Sequence, residues 1–121
     1  MTSSHRPAGS LVPTVPTVLT ATDLGTPLGA RATFVQISST FCRPCHATRT
    51  VLARLAATAE GVVHVDLDIA DHLALGERLA VEVTPTVLVL DADGLVVRRA
   101  TGAPTLAQAR GALAAAVGDG G

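Results

Sequence analysis

Two cysteines lie three positions apart within residues 41–46 (sequence FCRPCH), and the chain has no others. The apolar run at residues 32–37 before them is typical of a strand, and a helical pattern begins near Cys45. A cysteine at a helix N-terminus has a lowered thiol pKa, because unpaired backbone N–H groups favour the thiolate there. Cys42 occupies that position, and Arg43 adds a permanent positive charge beside it. The spacing therefore predicts a redox pair in which Cys42 attacks and Cys45 resolves the mixed disulfide.

Two other uses of the cysteine pair stay open at this stage. A zinc site would need two histidine ligands as well, and His5, His64 and His72 show no paired ligand spacing. The string Cys-Arg-Pro-Cys-His, which ends at His46, also matches the attachment motif of c-type haem. A cytochrome would require a distal ligand, often methionine, and the single methionine of this chain is Met1. We therefore favour redox chemistry and expect neither a cofactor nor a metal.

The hydrophobic pattern predicts one α/β domain over residues 17–118, after a flexible tail at residues 1–16 that is rich in Pro, Ser and Thr. We expect a central mixed sheet of four to five strands with helices on both faces. The predicted strands are 17–20, 32–37, 62–68, 86–90 and 95–99, and the predicted helices are 45–61, 71–80 and 106–117, the last capped by Thr105.

Composition excludes several classes of function. The net charge is −1, with both signs interspersed, so neither nucleic acid nor an anionic membrane is an expected partner. No apolar stretch approaches the roughly 20 residues that span a bilayer. Residues 1–16 contain no apolar core of a secretory signal, which predicts a cytoplasmic protein. The alternative is an extracytoplasmic location, if a natural N-terminal anchor has been removed.

Three motifs together resemble the thioredoxin superfamily, over about residues 17–117. Phe41, Cys42, Arg43, Pro44 and Cys45 match its aromatic-Cys-x-Pro-Cys motif. The resemblance implies two further site segments, a cis-proline loop that forms one wall of a substrate groove and a pair of small residues that complete this groove. These segments are Thr84-Pro85, before the strongest strand, and Gly102-Ala103, after the predicted hairpin.

The chain departs from the family pattern behind the cysteines. Gln36 stands where thioredoxins commonly carry a buried Asp, and an amide cannot take a proton from Cys45. His64 falls at the position of the usual partner Lys, which makes it a candidate for proton handling. Phe41 replaces the usual Trp and Arg43 the usual Gly. By favouring the thiolate, Arg43 is expected to make the reduction potential more oxidising than that of thioredoxin.

The resemblance implies a thiol–disulfide oxidoreductase that acts on protein disulfides and dithiols together with a redox partner protein. Residues 28–31 and 34–39 also resemble the corresponding segment of the TlpA-like branch, although the long insertion of that branch is missing. We expect a monomer. The alternative function is a binding or sensing module of the same fold, in which the cysteine pair switches partner affinity without multiple turnover.

Overall fold

The structure, a computed structural model, describes residues 16–118, so the predicted tail lies outside it except for Pro16. The strands are β1 (Ala32–Ser38), β2 (Val62–Asp68), β3 (Thr86–Asp91) and β4 (Val96–Thr101), and the helices are α1 (Ala21–Leu24), α2 (Arg43–Thr58), α3 (Leu73–Arg78) and α4 (Leu106–Val117). A 3-10 turn at Ile69–Asp71 precedes α3. No helix of residues 16–118 is long and apolar enough to cross a membrane.

The four strands form one mixed sheet, as predicted, and the structure gives their order as β2-β1-β3-β4. β1 pairs in parallel with β2 and antiparallel with β3, and β3 and β4 form the predicted antiparallel hairpin. All seven residues of β1 are buried, because this strand has neighbours on both edges and helices over both faces. A strand in that position is apolar on both faces, which makes a polar side chain such as Gln36 conspicuous there.

Two apolar layers hold the helices on the sheet. Odd-numbered residues of β1, such as Val35 and Ile37, face α1 and α3, and their layer includes Leu24, Leu75 and Leu79. On the opposite face, Phe34 packs with residues of α2 and α4 in a second layer that includes Leu52, Leu55, Ala109 and Ala116. The helices therefore lie on both faces of the sheet, as predicted.

Three predicted elements differ in extent. Helix α2 begins at Arg43, two residues before the helical pattern of the sequence, because Cys42 provides its N-cap. Helix α3 is shorter than predicted, since the 3-10 turn takes up its first residues. The predicted strand at residues 17–20 is reduced to a bridge between Val18 and Leu95, because Thr20 already caps α1.

Arg99 connects the edge strand β4 to the end of α3. Its guanidinium donates hydrogen bonds to the backbone carbonyls of Leu79 and Ala80. These two carbonyls follow the last residue of α3 and accept no hydrogen bond from the helix backbone. Ala80 is in the left-handed region, with φ of 54°. The side chain of Arg99 thus holds the point at which the chain leaves α3 towards Thr84 and Pro85.

Candidate active site

Cys42 and Cys45 form a disulfide at the start of α2, with 5.2 Å between their Cα atoms. Cys42 is the N-cap, and its Sγ accepts a hydrogen bond from the backbone N–H of Cys45 at 3.2 Å. Pro44 lies in the first turn of α2, where the helix needs no backbone N–H donor. Cys42 Sγ therefore lies at the positive end of the helix dipole, where a thiolate is stabilised.

The two sulfur-bearing residues differ in exposure. Cys45 is 1% exposed, whereas Cys42 is partly exposed. Arg43 and Pro44 are exposed as well, and Phe41 is 99% exposed with a left-handed φ of 59°. A bulky residue rarely adopts this φ, and such strain is typical of functional turns. An incoming thiol or disulfide can therefore reach Cys42 but not Cys45.

Thr84 and Pro85 lie next to Cys42, joined by a cis peptide bond. Thr84 Oγ1 is 3.9 Å from Cys42 Sγ and shares a 2.7 Å hydrogen bond with the hydroxyl of Ser39. The backbone N–H of Gly102 donates to the carbonyl of Pro85 at 2.8 Å. The structure thus brings the three predicted site segments together, and it adds Ser39, which the sequence did not single out.

Ala103 follows Gly102 and is exposed. It lines a cavity of about 460 Å³ between α4 and the hairpin of β3 and β4, together with Phe34, Leu52 and Pro104 among others. Neither cysteine lines this cavity. The cavity therefore does not form part of the disulfide site.

Gln36 lies on the buried side of the disulfide, and both the nitrogen and the oxygen of its amide group make hydrogen bonds. Its Nε2 donates hydrogen bonds of 2.9 Å to the carbonyl of Cys45 and to Ser38 Oγ. Because a carbonyl only accepts, the amide NH₂ must face Cys45, and Gln36 Oε1 then accepts from His64 Nε2 at 2.9 Å. His64 therefore carries a proton on Nε2, and its free basic site is Nδ1.

The same hydrogen-bond network continues to the surface. Ser38 Oγ donates to Asp66 Oδ1 at 2.7 Å, and Arg49 Nε on α2 donates to Asp66 Oδ2 at 2.6 Å. Arg49 also lies 3.2 Å from His46 Nδ1. The sequence analysis did not connect Ser38, Asp66 or Arg49 with the cysteine site. The available signal was the alternation of polar residues at positions 36 and 38 and at 64 and 66, which places them on one face of adjacent strands.

Burial lowers the pKa of His64 below its ordinary value of 6.5, and Arg49 adds to this effect while the charge of Asp66 opposes it. Protonation at Nδ1 would place a positive charge in a half-buried site, so His64 favours the neutral form. His64 contacts Gln36 rather than a cysteine. Its connection to Cys45 therefore runs through one amide group.

Among residues 16–118, no three His, Cys, Asp or Glu side chains are close enough together to hold a metal ion. Zinc ligation or thioether attachment of haem would each use the two sulfur atoms. Both of these atoms are bonded to each other in this structure. What the arrangement can do chemically is to exchange this disulfide with an external thiol at Cys42.

A family model described as Thioredoxin matches residues 17–115. Among solved structures, the chain is similar to the short form of thioredoxin f from spinach chloroplast, with 25% identity and a TM-score of 0.65 over 74% of this chain and 80% of that one. It is also similar to a chain in the complex of ferredoxin:thioredoxin reductase with thioredoxin f2 (23% identity, TM-score 0.64, 74% and 81% covered).

A third similar structure is the oxidised form of mitochondrial thioredoxin 3 from Saccharomyces cerevisiae, with 22% identity and a TM-score of 0.59 over 67% of this chain and 76% of that one. A comparison with curated protein sequences gives no match.

Proposed function

We infer that this chain, which belongs to the thioredoxin family, is a thiol–disulfide oxidoreductase whose Cys42 and Cys45 alternate between a disulfide and a dithiol. The observation that carries this conclusion is the asymmetry of the pair. Cys42 is the partly exposed N-cap of α2, and Cys45 is 1% exposed behind it. A substrate can therefore contact Cys42 Sγ, whereas Cys45 Sγ stays buried until it resolves the mixed disulfide.

In the reducing direction, the Cys42 thiolate attacks a substrate disulfide, forms a mixed disulfide and displaces the first substrate thiolate. Cys45 then attacks Cys42 Sγ, closes the internal disulfide and displaces the second substrate thiolate. Two electrons pass to the substrate, and its two thiolates take up protons from solvent. The helix N-terminus favours the Cys42 thiolate in the first step, whereas in the second step Cys42 Sγ is the atom that Cys45 attacks and the substrate thiolate is the leaving group.

We propose that protein substrates lie in the groove between Cys42 and the pair Thr84-Pro85. The 3.9 Å separation of Thr84 Oγ1 from Cys42 Sγ supports this assignment, as does the hydrogen bond from Gly102 to Pro85. Gly102 and Ala103 would bound the groove on the far side. Phe41, 99% exposed at the rim, offers an apolar surface to the substrate chain.

For the resolving step we propose His64 as the group that handles the proton of Cys45. Its free Nδ1 and its half-buried position beside Gln36 support this role; because the Gln36 amide cannot carry a proton, water would transfer it from Cys45 to Nδ1. The His64→Gln variant tests it. If His64 acts in this way, the variant should resolve mixed disulfides more slowly and lose the pH dependence of that step between about pH 5 and 7. An unchanged pH profile would remove His64 from the mechanism.

Turnover separates the oxidoreductase from the redox-switched binding module. Gln36 favours the second function, because its amide cannot accept the proton of Cys45. We expect the protein to reduce many equivalents of insulin disulfide in the presence of dithiothreitol. Oxidation of the protein by a single equivalent of insulin disulfide, with no further reaction, would instead support the switch.

We also propose that this chain is a monomer and that it lies in the cytoplasm. A dedicated reductase protein would supply its electrons. The complex of thioredoxin f2 with ferredoxin:thioredoxin reductase supports a protein electron donor, since this chain resembles a chain of that complex. Pull-down with the Cys45→Ser variant should trap such partners as mixed disulfides. Light scattering of the purified protein tests the monomer, and fractionation of cells tests the location.

A further inference from the structure

Thr48 is a fully buried residue on the face of α2 that also carries Cys45. Its exposure is 0%, and its hydroxyl has no hydrogen-bond partner within residues 16–118. A buried hydroxyl that is left unpaired destabilises the folded protein, because it has lost its hydrogen bonds to water. Valine has nearly the same shape and would avoid this cost. The oxidised protein therefore keeps an unused donor one helical turn from its reactive pair.

The structure explains why this hydroxyl has no local acceptor at Cys45. A threonine in a helix commonly donates to the carbonyl three or four residues earlier. Three residues earlier is Cys45, whose carbonyl accepts from Gln36 Nε2 at 2.9 Å in addition to its helical partner, the N–H of Arg49. A carbonyl oxygen has two lone pairs. Gln36 thus takes the acceptor that Thr48 would otherwise use, and the carbonyl of Pro44 is the remaining local candidate.

In the oxidised form Cys45 Sγ does not accept from Thr48, and reduction turns this sulfur into a stronger acceptor. Side chains of a helix lean towards its N-terminus, so Thr48 lies over the turn that contains Cys45. In the disulfide, Cys45 Sγ is bonded to Cys42 Sγ. An external dithiol that reduces this bond delivers two electrons and two protons and becomes a disulfide itself. Cys45 Sγ is then a thiol or, after loss of its proton, a thiolate, which is a strong hydrogen-bond acceptor.

We propose that the hydroxyl of Thr48 donates a hydrogen bond to Cys45 Sγ in the reduced protein and thereby stabilises the dithiol over the disulfide. This proposal rests on the proposed oxidoreductase function. The unpaired hydroxyl destabilises the oxidised form, and the new hydrogen bond stabilises the reduced form. Both effects make the reduction potential more oxidising. The same bond supports the Cys45 thiolate in the resolving step, which the amide of Gln36 cannot do.

The test compares Thr48→Val, which removes the hydroxyl at constant shape, with Thr48→Ser, which keeps it. Each protein is equilibrated with glutathione buffers at pH 7, and the fraction oxidised is read by alkylation and mass spectrometry. We expect Thr48→Val to shift the equilibrium about tenfold towards the disulfide, equal to about 30 mV for a two-electron couple. Thr48→Ser should stay within about twofold of the wild type. Thr48→Ala also lacks the hydroxyl and serves as a second variant should the valine protein not fold.

Thermal unfolding of both redox forms completes the test. The valine variant should raise the melting temperature of the oxidised form more than that of the reduced form. Equal shifts in both forms, with an unchanged glutathione equilibrium, would overturn the proposal and show that the surroundings of the Thr48 hydroxyl do not depend on the redox state. A wild-type protein that does not exchange with glutathione at all would overturn the proposed function, and the present proposal with it.

Discussion

The two sulfur atoms of one disulfide face different surroundings. We call the outer side the exposed or partly exposed residues around Cys42, and the inner side the buried or half-buried residues behind Cys45. The outer side consists of Phe41, Arg43, Pro44 and Thr84, and the inner side of Gln36, Ser38, Thr48 and His64. Side chains on the outer side make few hydrogen bonds, whereas Gln36 alone makes three.

This difference indicates that the two cysteines have different roles in the exchange reaction. A substrate can approach the outer side, where the helix N-terminus stabilises negative charge on Cys42 and Arg43 is expected to add to this effect. On the inner side, Gln36 binds the backbone carbonyl of Cys45, and our proposals assign the protonation and the energy of Cys45 to His64 and Thr48. Changes on the outer side should therefore affect attack on the substrate, and changes on the inner side should affect stability and the resolving step.

The largest effect should come from the cysteines themselves. Cys42→Ser should abolish insulin reduction, because the only sulfur that a substrate can reach is lost. Cys45→Ser should still attack but then stop at the mixed disulfide, since no resolving thiol remains. Mass spectrometry after alkylation distinguishes the two variants by the mass of the bound substrate. A covalent adduct on Cys42→Ser, formed through Cys45, would contradict these different roles, because it would show that a substrate can reach Cys45.

The second largest effect should appear on the inner side. Gln36→Leu keeps the size of the side chain but leaves the His64 N–H and Ser38 without their partner. We expect the free energy of unfolding to fall by about 1–3 kcal/mol. Arg43→Gln on the outer side is the matched control and should change stability by less than about 0.5 kcal/mol. Denaturant unfolding gives both values, and equal losses would show that the two sides do not differ in this way.

A smaller effect should come from the charge of Arg43. Removing it in Arg43→Gln takes away an exposed positive charge beside the Cys42 thiolate, and exposed charge pairs contribute about 0.2–1 kcal/mol. The glutathione equilibrium should therefore move about two- to fivefold towards the disulfide. Arg54→Gln, further along the same helix, is the control and should leave the equilibrium unchanged. A shift towards the dithiol in Arg43→Gln would reverse the expected sign.

The smallest effect should be the pH dependence of stability caused by His64. Burial lowers its pKa in the folded protein, so below about pH 6.5 the unfolded chain binds more protons than the folded one. The free energy of unfolding should therefore decrease as the pH falls below that value. The exposed His46 is the control. His64→Gln should lose this acid sensitivity, His46→Gln should keep it, and identical slopes in both variants would show that another group is responsible.

The sequence predicts the parts of the molecule that depend on neighbouring residues. The strand bounds of β2, the whole of α4 with its Thr105 cap, and the position of Cys42 at a helix N-terminus follow from local patterns and are confirmed. Thr84 and Pro85 were assigned to the site through a motif, and the structure brings them next to Cys42.

The inner side could not be predicted in the same way. Its contacts join Gln36 and Ser38 to residues 28 positions later, and only the parallel register of β1 and β2 defines these pairs. The sequence identified Gln36 and His64 singly but could not give the direction of their hydrogen bonds. The unpaired hydroxyl of Thr48 depends in turn on what Gln36 binds. The lack of a partner for Thr48 therefore becomes apparent only when β1, β2 and α2 are packed together.

Arg99 connects the edge strand of the sheet to the segment that leads to the active site. Its hydrogen bonds to Leu79 and Ala80 fasten the segment that leads to Pro85, while Gly102, just after β4, binds Pro85 directly. The segment is thus held at both ends by the same edge strand. The wall of the groove and β4 should therefore open together as one cooperative unit, so that their amide protons exchange with deuterium at a common rate.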